Sequence, residues 1–70
     1  MKKKHFDPKN KLLVEAMIAE VLNTRMFCGN EYNVYREWAS FYDVTEQQWF
    51  DHVITAVNRE WDRCRKEVAR

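Results

Sequence analysis

The side chains of this 70-residue chain that could do chemistry are two histidines and two cysteines. His5 and His52 have no set of Cys, Asp or Glu at metal-ligand spacing on a common helix face. Asp51 neighbours His52, but adjacent residues on a helix do not face one another. Cys28 and Cys64 lack the C-x-x-C spacing of a zinc or redox site. We therefore predict no metal, no cofactor and no catalytic residue.

Motifs and composition point away from enzymes as well. The chain has one glycine and contains neither a G-x-x-x-x-G-K phosphate loop nor a nucleophile elbow. Twelve Lys and Arg nearly balance eleven Asp and Glu, so the formal charge of +1 creates no overall attraction for nucleic acid or anionic lipid. The apolar runs are only a few residues long and none could span a membrane. We predict a non-enzymatic, soluble, cytoplasmic protein.

The elements that position these side chains are predicted to be helical. A hydrophobic content of 46% with one Gly and one Pro is typical of a compact all-α fold. Residues 1–6 are predicted to form a flexible basic tail with Phe6 folded back, and residues 7–70 to form one helical domain. Asp7 is predicted to cap the first helix, with Pro8 at its first position.

Local signals divide the domain into three helices. The first helix should end near Gly29, which we expect to adopt the left-handed conformation of a C-terminal cap. Asn30 is expected to cap a second helix, "EYNVYREWASFY". Thr45 and Gln48 form a capping box that starts the third helix at Glu46. Since no Gly or Pro follows Gly29, this third helix should cover about 24 residues, or about 36 Å.

The apolar residues of these helices follow helical spacing. In the first helix they form a main stripe that Leu13 and Met26 broaden, and in the second an aromatic face that includes Phe41. Those of the third helix are spaced 4, 3, 4, 3, 4, the pattern of a coiled-coil seam, with a second strip beside it at Trp49, Val53 and Ala56. The shorter helices can cover only part of the third, so we predict a homodimeric helical bundle; the alternative is a monomeric bundle in which the first helix packs along the whole of the third. Its predicted interface is Phe50, Ile54, Val57, Trp61, Cys64 and Val68.

Helix two carries more aromatic surface than a helix of its length can bury on one face. Tyr32 and Tyr35, near its start, are candidates for an exposed patch. Aromatic residues and Arg, here Arg36, dominate protein–protein hot spots. Tyr32, Tyr35 and Arg36 are therefore the predicted contacts for a protein partner, although the two tyrosines could equally complete a dimer core.

A helix-turn-helix DNA-binding regulator is the alternative hypothesis. Ala39, Asp43, Val44, Trp49 and Val53 follow the order of small, turn and buried residues in that motif, with Asp43 at the turn position where Gly is usual. However, no Lys or Arg lies between residues 43 and 58, so acidic side chains would approach the phosphates. The basic residues at the two ends could contact a backbone without recognising sequence. Nucleic acid is therefore the less favoured partner.

The stretch "CGNEYNVYREWA", in a very short, aromatic-rich helical chain, resembles the small early-region accessory proteins of lambdoid bacteriophages. The resemblance is one of general character and transfers no functional residue. It implies a non-enzymatic protein of the host cytoplasm that modulates host or phage development by binding host factors.

Overall fold

Three helices and one two-residue β-pair make up the fold. The computed structural model describes the backbone of residues 2–68 and the side chains of residues 2–63. Helix α1 covers Lys11–Met26 and α2 covers Glu31–Phe41. Helix α3 covers 46–68 as three consecutive segments, an α-helical Glu46–Trp49, a π-helical turn Phe50–Ile54 and an α-helical Thr55–Val68. The predicted, mainly helical fold is confirmed, with a small sheet added to it.

Helix α1 begins three residues later than the sequence predicts. Its cap is Asn10, whose side-chain oxygen accepts a hydrogen bond from the Leu13 N–H at 3.3 Å. Asp7 instead caps a separate turn. Its carboxylate accepts from the Lys9 N–H at 2.9 Å, and its carbonyl accepts from the Asn10 N–H at 3.0 Å. Asp7 and Asn10 are both residue types that cap helices, and they lie three positions apart. Asn10, the one closer to the helix, is the residue that caps it.

The corner between α1 and α2 places the left-handed residue at Cys28, whose φ is 58°. The prediction that Gly29 takes this conformation is wrong. The Gly29 N–H donates to the Thr24 carbonyl at 2.8 Å, and the Cys28 N–H donates to that of Arg25 at 3.1 Å. These two bonds form a Schellman motif with cysteine at the position where glycine is usual. Gly29 is needed for space instead, because a Cβ there would lie 2.8 Å from Thr24 Cγ2.

The predicted caps of α2 and α3 are confirmed. The Asn30 side chain accepts a hydrogen bond from the Tyr32 N–H at 3.0 Å. Thr45 and Gln48 form the reciprocal capping box at the start of α3. These bonds connect residues two or three positions apart, so the sequence alone determines them.

The amino-terminal segment contacts the helical domain through a short β-pair and one buried ring. Strand β1, Lys4–His5, pairs in parallel with strand β2, Tyr42–Asp43, in the connection between α2 and α3. Phe6 follows β1 and is buried in the core, as expected from its apolar side chain. Backbone pairing and the burial of one aromatic ring together hold residues 4–6 against the domain.

The π-helical turn changes which face of α3 meets the core. Trp49, Val53 and Val57 are buried, although their spacing of 4 and 4 would drift around a straight α-helix. A π-helical turn contains an extra residue, which keeps these three side chains in line. The Thr55 hydroxyl donates to the Phe50 carbonyl at 3.0 Å, and the Thr55 N–H bonds the same carbonyl.

The core lies where α1, α2 and the first half of α3 meet. Its buried members are all apolar, and no polar side chain is buried among the described residues. Two predicted core positions differ: Met26 is 66% exposed and Phe41 is 63% exposed. Met26 is the last residue of α1 and Phe41 is the last residue of α2. The core residues are Phe6, Met17, Val21, Val34, Val44, Trp49, Val53 and Val57.

Candidate functional site

A groove of about 210 Å³ lies between the first turns of α2 and the first half of α3. It is smaller than the 300–1,000 Å³ usual for drug-sized ligands and cofactors, and its size suits one or two side chains. We call it the α2–α3 groove. Its lining residues are Glu31, Tyr32, Tyr35, Glu46, Trp49, Phe50 and Ile54.

Aromatic rings form one side of the α2–α3 groove. The ring centroids of Tyr32 and Tyr35 are 5.6 Å apart, and those of Tyr35 and Trp49 are 5.5 Å apart, all tilted. Trp49 is buried and Tyr35 is half-buried, so these two rings are fixed by the core. Tyr32 is 53% exposed, and Phe50 on the opposite helix is 60% exposed. The groove therefore has a rigid interior and two accessible aromatic walls.

Two carboxylates line the same groove in different electrostatic states. Glu31 accepts two hydrogen bonds from the Arg25 guanidinium, at 2.7 and 3.0 Å, and this ion pair neutralises it. Glu46 accepts a hydrogen bond from the Tyr32 hydroxyl at 3.3 Å. Within residues 2–63 no Lys, Arg or His nitrogen forms an ion pair with Glu46. The Glu46 carboxylate thus brings a net negative charge to an aromatic surface.

The field of this carboxylate reaches the Tyr35 phenol. Burial is the largest cause that raises the pKa of Tyr35 above its ordinary value, and the negative charge of Glu46 raises it further. The Tyr35 hydroxyl donates to the Val44 carbonyl at 3.3 Å. This bond ties α2 to the residue just before the α3 capping box, and so fixes the spacing of the two groove walls.

The three predicted partner contacts separate in the structure. Tyr32 and Tyr35 come together in the α2–α3 groove, whereas Arg36 is exposed and does not line it. Glu46 and Trp49 line the groove although the sequence did not predict them as site residues, and Phe50, predicted for the dimer interface, lines it too. The placement of α2 against α3 brings them to Tyr32, and no local pattern in the sequence encodes that placement.

The described residues of the predicted dimer interface lie in different surroundings. Val57 has 0% exposure and lies in the core of the chain. Phe50 and Ile54 line the α2–α3 groove. Trp61 is half-buried, with the Arg25 guanidinium 5.4 Å from its ring centroid. The side chains of Cys64 and Val68 lie outside the described residues.

The connection between α2 and α3 departs from a helix-turn-helix turn. Tyr42 has φ −124° and ψ 149°, and Thr45 has φ −80° and ψ 162°, both extended. Asp43 belongs to the β-pair and does not take the positive φ expected at the turn. Val44, Trp49 and Val53 are nevertheless buried and Ala39 is half-buried, as that pattern also requires. Burial of this kind is shared by any helical hairpin.

A second cavity, of about 520 Å³, lies at the other end of α2. Lys2, Lys3 and Lys4 line it together with the exposed ring of Phe41. Glu20 and Glu37 line it too, and Glu20 accepts a hydrogen bond from Trp38 Nε1 at 3.0 Å. Charges of both signs therefore meet there, and the cavity has no uniform preference for an anion.

Among the residues that the structure describes, no group of three or more His, Cys, Asp or Glu side chains could hold a metal ion. Neither histidine is therefore part of such a group. The His52 ring lies 6.2 Å from that of Phe6. Cys28 is exposed at the α1–α2 corner. No helix in the described range is long and apolar enough to cross a membrane.

Comparison of the chain with protein-family models, with curated proteins and with solved structures finds no match.

Proposed function

We propose that this chain is a non-enzymatic interaction module that binds another protein through the α2–α3 groove. The observation that carries the proposal is the pair of exposed aromatic walls, Tyr32 and Phe50, beside a rigid interior of Tyr35 and Trp49. Rigid aromatic anchors around a small pocket are typical of protein–protein hot spots. The resemblance to phage accessory proteins adds a host factor in the host cytoplasm as the kind of partner.

Stability alone does not account for two exposed aromatic rings. Burying a side chain of this size contributes about 1.5–3 kcal/mol. A small domain has only about 3–5 kcal/mol of stability from its core, so aromatic surface left in water is a substantial loss. A partner that covers Tyr32 and Phe50 gains the free energy of burying these rings when it binds.

Affinity capture from the native cells tests the proposal. The bait is compared with a Tyr32→Ser/Phe50→Ser variant, and with Phe41→Ser as a matched control. Phe41 is similarly exposed but lies outside the groove. A protein retained by the wild type and by Phe41→Ser, and lost with the double variant, is expected. Identical captured proteins with all three baits, or none with any of them, would contradict the proposal.

We also propose that the chain forms a homodimer through the distal part of α3. The helix extends about 10 Å beyond Trp61, at 1.5 Å per residue. Arg25, one residue from the end of α1, contacts both Asn58 and Trp61, so α1 ends near this level of α3. A second copy is the simplest cover for the remaining turns.

Sedimentation at micromolar concentration should give a mass near twice that of the chain. Trp61→Ala should weaken the association more than Trp38→Ala does, because the Trp38 ring packs against Tyr42 within the same chain. A monomer for the wild-type protein refutes the dimer, and leaves the groove proposal standing.

A further inference from the structure

We infer that the α2–α3 groove binds an arginine side chain of the partner protein, with the guanidinium against the Tyr32 and Phe50 rings and near the Glu46 carboxylate. This inference rests on the proposed function and names the chemistry that the groove selects. Three features of the structure support it, namely the charge around the groove, its aromatic walls and its volume.

Charge is the first feature. From Asp43 to Asn58 the chain contains no Lys or Arg, and Asp43, Glu46 and Asp51 are acidic. Arg25, the partner of the groove residue Glu31, is already engaged, because its guanidinium donates two hydrogen bonds to that carboxylate. Glu46 remains negative beside the aromatic walls, and this charge disfavours an acidic segment and attracts a basic one.

The aromatic walls favour a guanidinium over an ammonium group. A planar guanidinium stacks on aromatic faces and is more weakly hydrated than an ammonium group, so it loses less on leaving water. The protein already holds one guanidinium in this manner. Arg25 lies 5.4 Å from the centroid of the Trp61 ring while its nitrogens bind the Glu31 carboxylate. The groove offers the same pair of groups, ring and carboxylate, to a side chain from outside.

The groove volume limits the occupant to about one long side chain. About 210 Å³ is too small for a nucleotide or a folded element, and the groove is open to solvent along its exposed rings. Ile54 and Phe50 provide apolar surface for the methylene stem of an arginine. The main chain of the partner segment would then run across the rims of α2 and α3.

Nuclear magnetic resonance titration with two matched probes tests the inference. The probes are Nα-acetyl-arginine methylamide and its neutral counterpart, Nα-acetyl-citrulline methylamide. The arginine probe should shift the backbone amides of Tyr32, Glu46 and Phe50, and the citrulline probe should bind more weakly by a factor of up to about five, the effect of one exposed charge pair. Added salt should reduce this difference.

Two carboxylate variants test whether Glu46 provides the charge that favours arginine over citrulline. Glu46→Gln should remove most of the preference for arginine over citrulline. Glu37→Gln is the matched control, because Glu37 is an exposed carboxylate on α2 outside the groove, and it should leave the preference unchanged. Circular dichroism checks that both variants keep the helical fold.

The outcomes separate this inference from the proposed function. Equal binding of the two probes, or a preference that survives Glu46→Gln, would overturn arginine recognition while leaving a groove that docks apolar side chains. Groove shifts that depend on protein concentration without any probe would identify a second copy as the occupant, and would also overturn it. The proposed function is judged separately by loss of capture in the Tyr32→Ser/Phe50→Ser variant.

Discussion

Gly29→Ala should destabilise the corner between α1 and α2 for a steric reason. The added Cβ would lie 2.8 Å from Thr24 Cγ2, well inside van der Waals contact. Overpacking of this kind costs about 1–3 kcal/mol. Replacing glycine also restricts the unfolded chain, which returns about 0.4–1 kcal/mol. We expect a net loss of up to about 2.6 kcal/mol, or a fall in Tm of up to about 20 °C at 4–8 °C per kcal/mol.

Thr24→Ser identifies the cause of that loss, because it removes the methyl group that clashes. Gly29→Ala should cost much less in the Thr24→Ser background than alone, as measured by urea unfolding followed by circular dichroism. Cys28→Gly should not destabilise the protein. Glycine removes the strain of a cysteine in the left-handed conformation, and this gain offsets the greater conformational entropy of glycine in the unfolded chain. If Gly29→Ala costs as much in the Thr24→Ser background as alone, the steric explanation is wrong. That result would be expected if Gly29 were the left-handed residue.

Two further perturbations test the contacts around the α2–α3 groove. Arg25→Met removes the Glu31 ion pair, the Asn58 hydrogen bond and the Trp61 contact, and should lower the free energy of unfolding by about 1–2 kcal/mol, less at high salt. An unchanged urea midpoint would contradict it. Tyr35 has a raised pKa, so its phenol keeps its proton in the folded state at a pH where the unfolded chain loses it. This contribution to stability is present below the unfolded value of about 10 and is lost as pH rises through the folded value. Tyrosinate absorbance should show one late-ionising tyrosine, absent in Tyr35→Phe; three tyrosines that titrate together would show that the shift is not real.

Local hydrogen bonds explain which parts of the fold the sequence could predict. The caps at Asn30 and Thr45 connect residues two or three positions apart, so their residue types were sufficient evidence. At the start of α1, Asp7 and Asn10 are both good caps, and the choice between them depends on how the chain enters the core. The left-handed conformation of Cys28 was not predicted because the next residue, Gly29, is of the type that most often adopts this conformation.

Tertiary packing explains the remaining differences. The seam predicted for α3 assumed a straight helix, and the π-helical turn Phe50–Ile54 changes the phase of that helix so that Trp49, Val53 and Val57 face the core. The excess of aromatic residues on α2 pointed to Tyr32 and Tyr35, and both line the α2–α3 groove. Their neighbours across the groove come from a helix that starts eleven or more positions later in the chain, and only the folded arrangement brings them together.

The β-pair has a kinetic consequence. The pairing of Lys4 with Tyr42 closes a loop that encloses all of α1 and all of α2. Closing a loop of this length costs entropy that two residues of backbone pairing repay poorly, so the enclosed helices must already be docked. We expect the amino-terminal strand to attach at the end of folding and to detach first when the native state fluctuates. Each detachment would release the connection from which α3, and with it one wall of the groove, begins.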